Sequence, residues 1–174
     1  LGGVEKVMDS TLSVQFRNAA GTMEFTPPSL RVGSRIHLDE TIFADAFAFL
    51  AGQVGEGITP KLTIPSPSMV HYRGGRASID EAVYPDIEEF WADLTAAYRE
   101  QIRRLGELGC RYLQLDDTSL AYLNDPRQRE HAAAIGGDPE HQHEAYISHL
   151  NEAIAGRPPG MAVTMATIVA PPAA

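Results

Sequence analysis

Cysteine is almost missing from this chain: Cys110 is the only one among 174 residues. An internal disulfide is therefore excluded, and the composition fits a reducing cytoplasm. Cys110 lies between an apolar helical stretch and an apolar run, the setting of a buried inert thiol and not of a nucleophile. Basic residues are few as well, with 14 Lys+Arg against 23 Asp+Glu and a formal charge of -9. Nucleic acid and anionic membrane surfaces both demand a basic face, so neither is expected as a partner. No apolar run is long enough to span a bilayer, and no charged-then-apolar signal sequence is read. Two catalytic signatures are absent too. The glycines at 52, 55 and 57 follow a helical stretch, not a strand, so they form no phosphate-binding loop. There is no Gly-x-Ser-x-Gly elbow, and Ser66 and Ser68 have no histidine in a context that marks a triad.

What remains is an ordinary globular composition, 44% hydrophobic, in a chain long enough for one domain with a real core. Thr11 to Phe16 alternates apolar and polar residues as a half-buried strand does, and Pro27-Pro28 ends that segment. Ser29 to His37 alternates again, with Leu30, Val32 and Ile36 on one face. From Asp39 onward, Ile42, Phe43, Ala46, Phe47 and Leu50 recur at helical spacing, with Asp39 as the expected N-cap. Lys61-Leu62-Thr63-Ile64 is a short strand stopped by Pro65 and Pro67. Met69 to Ala77 reads as a loop carrying His71, Tyr72, Arg73 and Arg76. Pro85 sits at an expected first helical turn, and Ile87, Phe90, Trp91, Leu94, Tyr98, Ile102, Leu105 and Leu108 keep helical spacing up to Gly109. Trp91 and Tyr98 are most simply core residues. Tyr112 to Leu115 is the next strand, with Asp116-Asp117-Thr118 as its exit. A polar stretch from Asn124 precedes a helix through Tyr146 and Leu150 that ends at Gly156. Met161 to Met165 would be the last strand.

Strand and helix thus alternate at least three times, which makes a parallel α/β sheet the leading class. A complete eightfold barrel needs roughly 250 residues, so a whole barrel does not fit in this length. In parallel α/β folds, ligands meet the C-terminal ends of the strands, which makes Asp116 and Asp117 the first candidates for chemistry. Each could equally cap the following turn. A carboxylate at a strand end is a ready counter-ion for the ammonium group of an amino acid, and Ser66 and Ser68 would share that rim. His141, His143 and His149 invite a metal reading. Residues two apart on a helix face different ways, so a shared zinc is poorly supported and solvent-exposed helix positions explain them better.

Three stretches carry a specific resemblance: Lys61 to Gly75, Tyr84-Pro85-Asp86, and Gly109 to Leu123 with its Gln114-Leu115-Asp116-Asp117-Thr118 core. Together with Gly156-Arg157-Pro158 and Thr164-Met165, they resemble the cobalamin-independent methionine synthase family, in particular single-domain relatives of its catalytic C-terminal barrel. The likeness covers most of residues 29 to 165. It implies a partial TIM (β/α) barrel with parallel strands, between an irregular or partly stranded segment at 1–28 and an atypical Ala/Pro tail at 166–174. It also implies methyl transfer from methyltetrahydrofolate to the thiol of homocysteine, with a zinc ion holding the thiolate. By the same resemblance Asp116 matches the aspartate that binds the amino group of homocysteine. Tyr72 and Arg73 fall in the folate-contacting loop, Ser66 and Ser68 shape that wall, and Tyr122 stands near a folate-contacting glutamate of the longer synthases.

The sequence departs from the family after Met165, where a His-x-Cys pair supplies zinc ligands and this chain has Ala166-Thr167-Ile168-Val169. The later zinc ligands and an early substrate-binding segment lie outside the chain, and Cys110 does not replace them. The resulting expectation is a barrel fragment, truncated or shifted in frame near Met165, without zinc and without activity as it stands. Open sheet edges would favour self-association. The competing readings are a non-catalytic α/β module that binds an amino acid, a pterin or a partner chain, and another barrel relative of the uroporphyrinogen decarboxylase type.

Overall fold

A computed structural model describes residues 1–8, 14–18, 21–26 and 28–167. The first part is antiparallel. Strand β1 (Gly2–Val7) pairs with β4 (Ser29–His37), and β2 (Val14–Asn18) pairs with β3 (Gly21–Phe25). Strand β4 has the bounds that its alternation predicts, and its Val32 and Ile36 are buried while Arg31 and Arg35 face outward. Of the strand expected at residues 11–16, positions 11–13 lie outside the described residues, as does the tail from 168.

The second part alternates helix and strand. It comprises α1 (Ala44–Gln53), β5 (Lys61–Pro65), α2 (Ser68–His71), α3 (Ile87–Glu107), β6 (Tyr112–Asp117), α4 (Ser119–Tyr122), α5 (Pro126–Ala134), α6 (Gln142–Ala155) and β7 (Ala162–Thr167). Strands β5, β6 and β7 form a parallel sheet in that order. The class is mixed α/β with a three-stranded parallel sheet.

Register explains why the sheet has two unlike faces. Leu62 lies opposite Leu113 and Leu113 opposite Val163, with Ile64 and Leu115 one step further along the same face. These side chains pack with Phe47, Ile102, Leu105 and Met161 in one core cluster. The intervening positions, Thr63 opposite Gln114 and Gln114 opposite Thr164, look the other way and stay polar. A second cluster joins β4 to the N-terminal half of α3 and to α6 through Val32, Tyr84, Phe90, Trp91, Leu94 and Tyr146. Fully burying each Leu, Ile or Phe contributes about 1.5–3 kcal/mol, so α3, which feeds both clusters, is the element that ties the fold together.

Four expectations need correction. Helix α1 starts at Ala44, not after Asp39, and Phe43 before it adopts a left-handed backbone at φ 63°. The buried Gln101 amide bonds both the N–H and the C=O of Ile42, at 2.9 and 2.8 Å, which takes those groups out of any helical ladder. Asp39 instead pairs with His37 at 2.9 Å. The segment expected as the loop 69–77 contains α2 and a 3-10 turn at Gly75–Ser78, because Val70, His71 and Tyr72 bury their side chains. Pro85 lies one residue before the N-cap of α3. That cap is Asp86, accepting from the Glu88 amide. The polar stretch after Asn124 holds α5, whose Asp125 cap accepts from the Arg127 amide with Pro126 at the first helical position.

Candidate functional site

Strand β6 continues through both aspartates, so alternation sends them to opposite faces. Asp116 is exposed on the polar face, where the Gln114 amide donates to its carboxylate at 2.6 Å. Gln114 also accepts from Lys61 Nζ at 2.7 Å, and Lys61 stands over the Tyr112 ring. A row of Lys61, Gln114 and Asp116 therefore leads along the open face to the strand ends. In register Asp116 faces Pro65 on one side and Ala166 on the other.

Asp117 points inward and is buried. Its carboxylate accepts from Ser66 Oγ at 2.5 Å, from Ser68 Oγ, from Ser119 Oγ at 2.6 Å and from the Leu120 amide at 3.1 Å. Burial pushes this carboxyl up. The donors from Ser119, Ser66, Ser68 and Leu120 outweigh that and hold it below the ordinary aspartate value. The backbone adds a further tie, with the Ser66 amide donating to the Asp116 carbonyl at 2.8 Å. Four of the residues singled out from sequence thus meet at the ends of β5 and β6. Asp117, Ser66 and Ser68 make one buried knot, and Asp116 stands outside it on the exposed side with Gln114. The simpler expectation, an aspartate capping a turn, describes Asp117 well.

The other candidates lie further out. Tyr72 is buried and stacks on Tyr122, with ring centroids 5.5 Å apart and planes 4° from parallel, and its hydroxyl donates to Gln128. Burial first, and then the neighbouring Tyr122, push the Tyr72 phenol well above its usual range. Arg73 donates to the Pro28 carbonyl at 3.1 Å. The structure therefore brings Tyr72 and Tyr122 together and sends Arg73 to a backbone group. Cys110 is buried at the opposite end of β6 from Asp116, and burial raises its thiol.

Sequence reasoning missed a cluster around His71. His71 Nδ1 lies 2.8 Å from the Tyr146 hydroxyl, which accepts from Gln142 Nε2 at 2.7 Å. Trp91 packs beside His71, at 5.2 Å between centroids. Burial foremost, with the charges of Arg76 and His149, lowers His71 to about 4. The available signal was a polar pair four residues apart, Gln142 and Tyr146, on a helix that has to bury one face. Of the histidines read as solvent-exposed, His141 is exposed at the start of α6, whereas His149 stacks on Trp91 at 4.5 Å and 7°.

Zinc needs about four N, S or O donors converging on one point. Among the described residues no three His, Cys, Asp or Glu side chains come together that way. No helix among them is long and apolar enough to cross a membrane.

Known proteins resemble this chain in fold and sequence. The Listeria monocytogenes protein provisionally named a vitamin-B12 independent methionine synthase superposes with a TM-score of 0.67 at 39% identity, over 78% of this chain and 40% of its own. The chain is similar to part of that protein. A B12-independent methionine synthase of Shewanella sp. W3-18-1, solved in complex with selenomethionine, matches at 15% identity and a TM-score of 0.50, over 95% of this chain and 39% of its own. That second likeness concerns the fold alone. Among curated proteins, the uncharacterized Bacillus subtilis protein YxjH is 35% identical over 165 residues, which is 95% of this chain and 41% of YxjH. YxjG, also uncharacterized, is 32% identical over 166 residues, 95% of this chain and 42% of YxjG. The chain thus spans about two fifths of the length of these relatives. No family model matches it.

Proposed function

We propose that this chain forms the amino-acid-binding wall of a methionine-synthase-type barrel, with Asp116 as counter-ion for the ammonium group of homocysteine or methionine. The observation that carries the reading is the placement of Asp116 at a parallel strand end, exposed on the polar face of a sheet whose other face is core. Three parallel strands in sequential order, joined through helical connections, are what a sector of a (β/α) barrel would contain, and the polar face would then be its lumen. The likeness to the Listeria protein supports the same direction. The Asp117 knot would hold the wall in shape: by tying the end of β5 to that of β6, it fixes the backbone on which Asp116 stands.

In the complete relatives the proposed reaction is methyl transfer to the homocysteine thiol from a methyltetrahydrofolate. Among the described residues no zinc-ligand set is gathered, and the wall alone is expected to move no methyl group. The test is calorimetric titration of the chain with L-selenomethionine and L-homocysteine, followed by an assay for methionine formation. Saturable amino-acid binding that weakens at least tenfold in Asp116→Asn, without methyl transfer, is expected. Undiminished binding in that variant would remove Asp116 from the role. Methyl transfer by the chain alone would overturn the view of it as an incomplete wall.

A further inference from the structure

A cleft of about 600 Å³ opens between the starts of α3 and α6, and Asp116 is not part of it. Its walls include Ile87, Trp91 and Ala145, and its floor includes His71, Gln142 and Tyr146. The polar atoms of that floor are under-used. Tyr146 oxygen accepts from Gln142 Nε2, and the tautomer that leaves no phenol proton stranded has Tyr146 donating to His71 Nδ1. An imidazole that accepts at Nδ1 and is neutral carries its own proton on Nε2. That N–H makes no hydrogen bond among the described residues and is not sealed from solvent, although His71 is only 7% exposed. Gln142 gives one N–H of its amide to Tyr146, and its Oε1 lies against Gly137, another cleft residue. The floor therefore offers a donor on His71 and an acceptor on Gln142 around a fixed phenol, both on residues more than nine-tenths buried.

Of the charged residues that line the cleft, Asp138 pairs with His141 at 2.9 Å, Arg76 donates to the carbonyls of Ile79 and Tyr84, Asp86 caps α3, and Glu88 is exposed at the rim. The floor itself, His71, Gln142 and Tyr146, carries no fixed charge, so it suits an uncharged guest. The size falls within the range that encloses small molecules, and the walls are largely apolar and aromatic.

We propose that this cleft is a second small-molecule site, separate from the strand-end wall, that takes an uncharged ring bearing an amide or lactam edge. The ring carbonyl would accept from His71 Nε2–H, the ring N–H would donate to Gln142 Oε1, and the ring body would lie against Trp91 and Ile87. A buried polar pair discriminates strongly against a guest that lacks one of the complementary groups, because the unmatched group stays desolvated.

Trp91 is the single tryptophan of the chain, so its indole N–H is one isolated resonance in a ¹⁵N-labelled sample. The experiment titrates the full chain with quinolin-2(1H)-one and, separately, with its N-methyl derivative, which keeps the carbonyl and loses the N–H. Expected are saturable shifts of the Trp91 indole and of the Gly136 and Gly137 amides, at least tenfold weaker for the N-methyl compound. A Gln142→Leu variant should weaken the parent compound by a similar factor. The absence of saturable shifts, or equal affinity for the two compounds, would overturn the proposal. Should Gln142→Leu fail to fold, the pair of ligands on the unaltered chain still decides.

Discussion

Ser66, Ser68 and Ser119 all direct their hydroxyls at one carboxylate, so Asp117→Ala would strand three buried donors as well as the Leu120 amide. Hydrogen bonds to charged groups contribute about 1.5–3 kcal/mol each before compensation, and a loss of about 2–4 kcal/mol is expected in urea unfolding. A value near zero would mean that water replaces the carboxylate. The pH dependence has a defined sign. The folded carboxyl titrates below its unfolded value, so its stabilisation is present above the unfolded pKa and is lost as pH falls through the folded one. His71 behaves differently. Its folded value of about 4 lies below the unfolded 6.5, so the unfolded chain binds the extra proton as pH drops between them. Relative to a His71→Gln variant, the protein should lose about 2 kcal/mol between pH 7 and pH 5. Equal slopes for the two proteins would show that His71 titrates normally. From spacing alone the two aspartates looked equivalent. Only the continuation of β6 through both of them separates an exposed group from a buried one, and strand ends are the least legible part of a sequence.

Among the elements, α3 was the most legible, because its apolar residues hold one period over its length and Asp86 caps it through the Glu88 amide. Short elements were harder. Helix α2 has four residues and no room to show a period, and the start of α1 is set by Gln101, far away in sequence. Helix α5 did carry a start signal, Asp125-Pro126, but it has little apolar periodicity beyond it. Close packing at the end of α3 gives a test at this scale. A Cβ on Gly106 would come within 2.3 Å of Pro158 Cγ and 3.1 Å of its Cβ, between α3 and the turn that leads into β7. Proline cannot swing aside, so Gly106→Ala should destabilise by about 1–3 kcal/mol despite its better helix propensity. A thermal melt that shifts upward would show that the turn yields instead.

For the whole molecule, the consequential fact is that β5 and β7 each pair only with β6 among the described residues. Unpaired strand edges invite other strands, and Met165 adds an exposed apolar side chain on β7. Sedimentation velocity over a wide concentration range should show self-association, reduced by Met165→Lys. A single small species at every concentration would argue that the edges are inert. The parallel order also bears on synthesis. Each strand can dock only after its crossover helix has been made, so β6 reaches β5 once α3 has emerged, and β7 follows α6. Assembly is therefore vectorial along the nascent chain. The β5–α3–β6 unit can collapse early, while the far edge of β6 waits for its neighbour until translation has run from Asp117 through three further helices to Ala162. During that interval the newest strand is exposed on the ribosome, and a pause in elongation there would lengthen the time in which it can be captured by another chain.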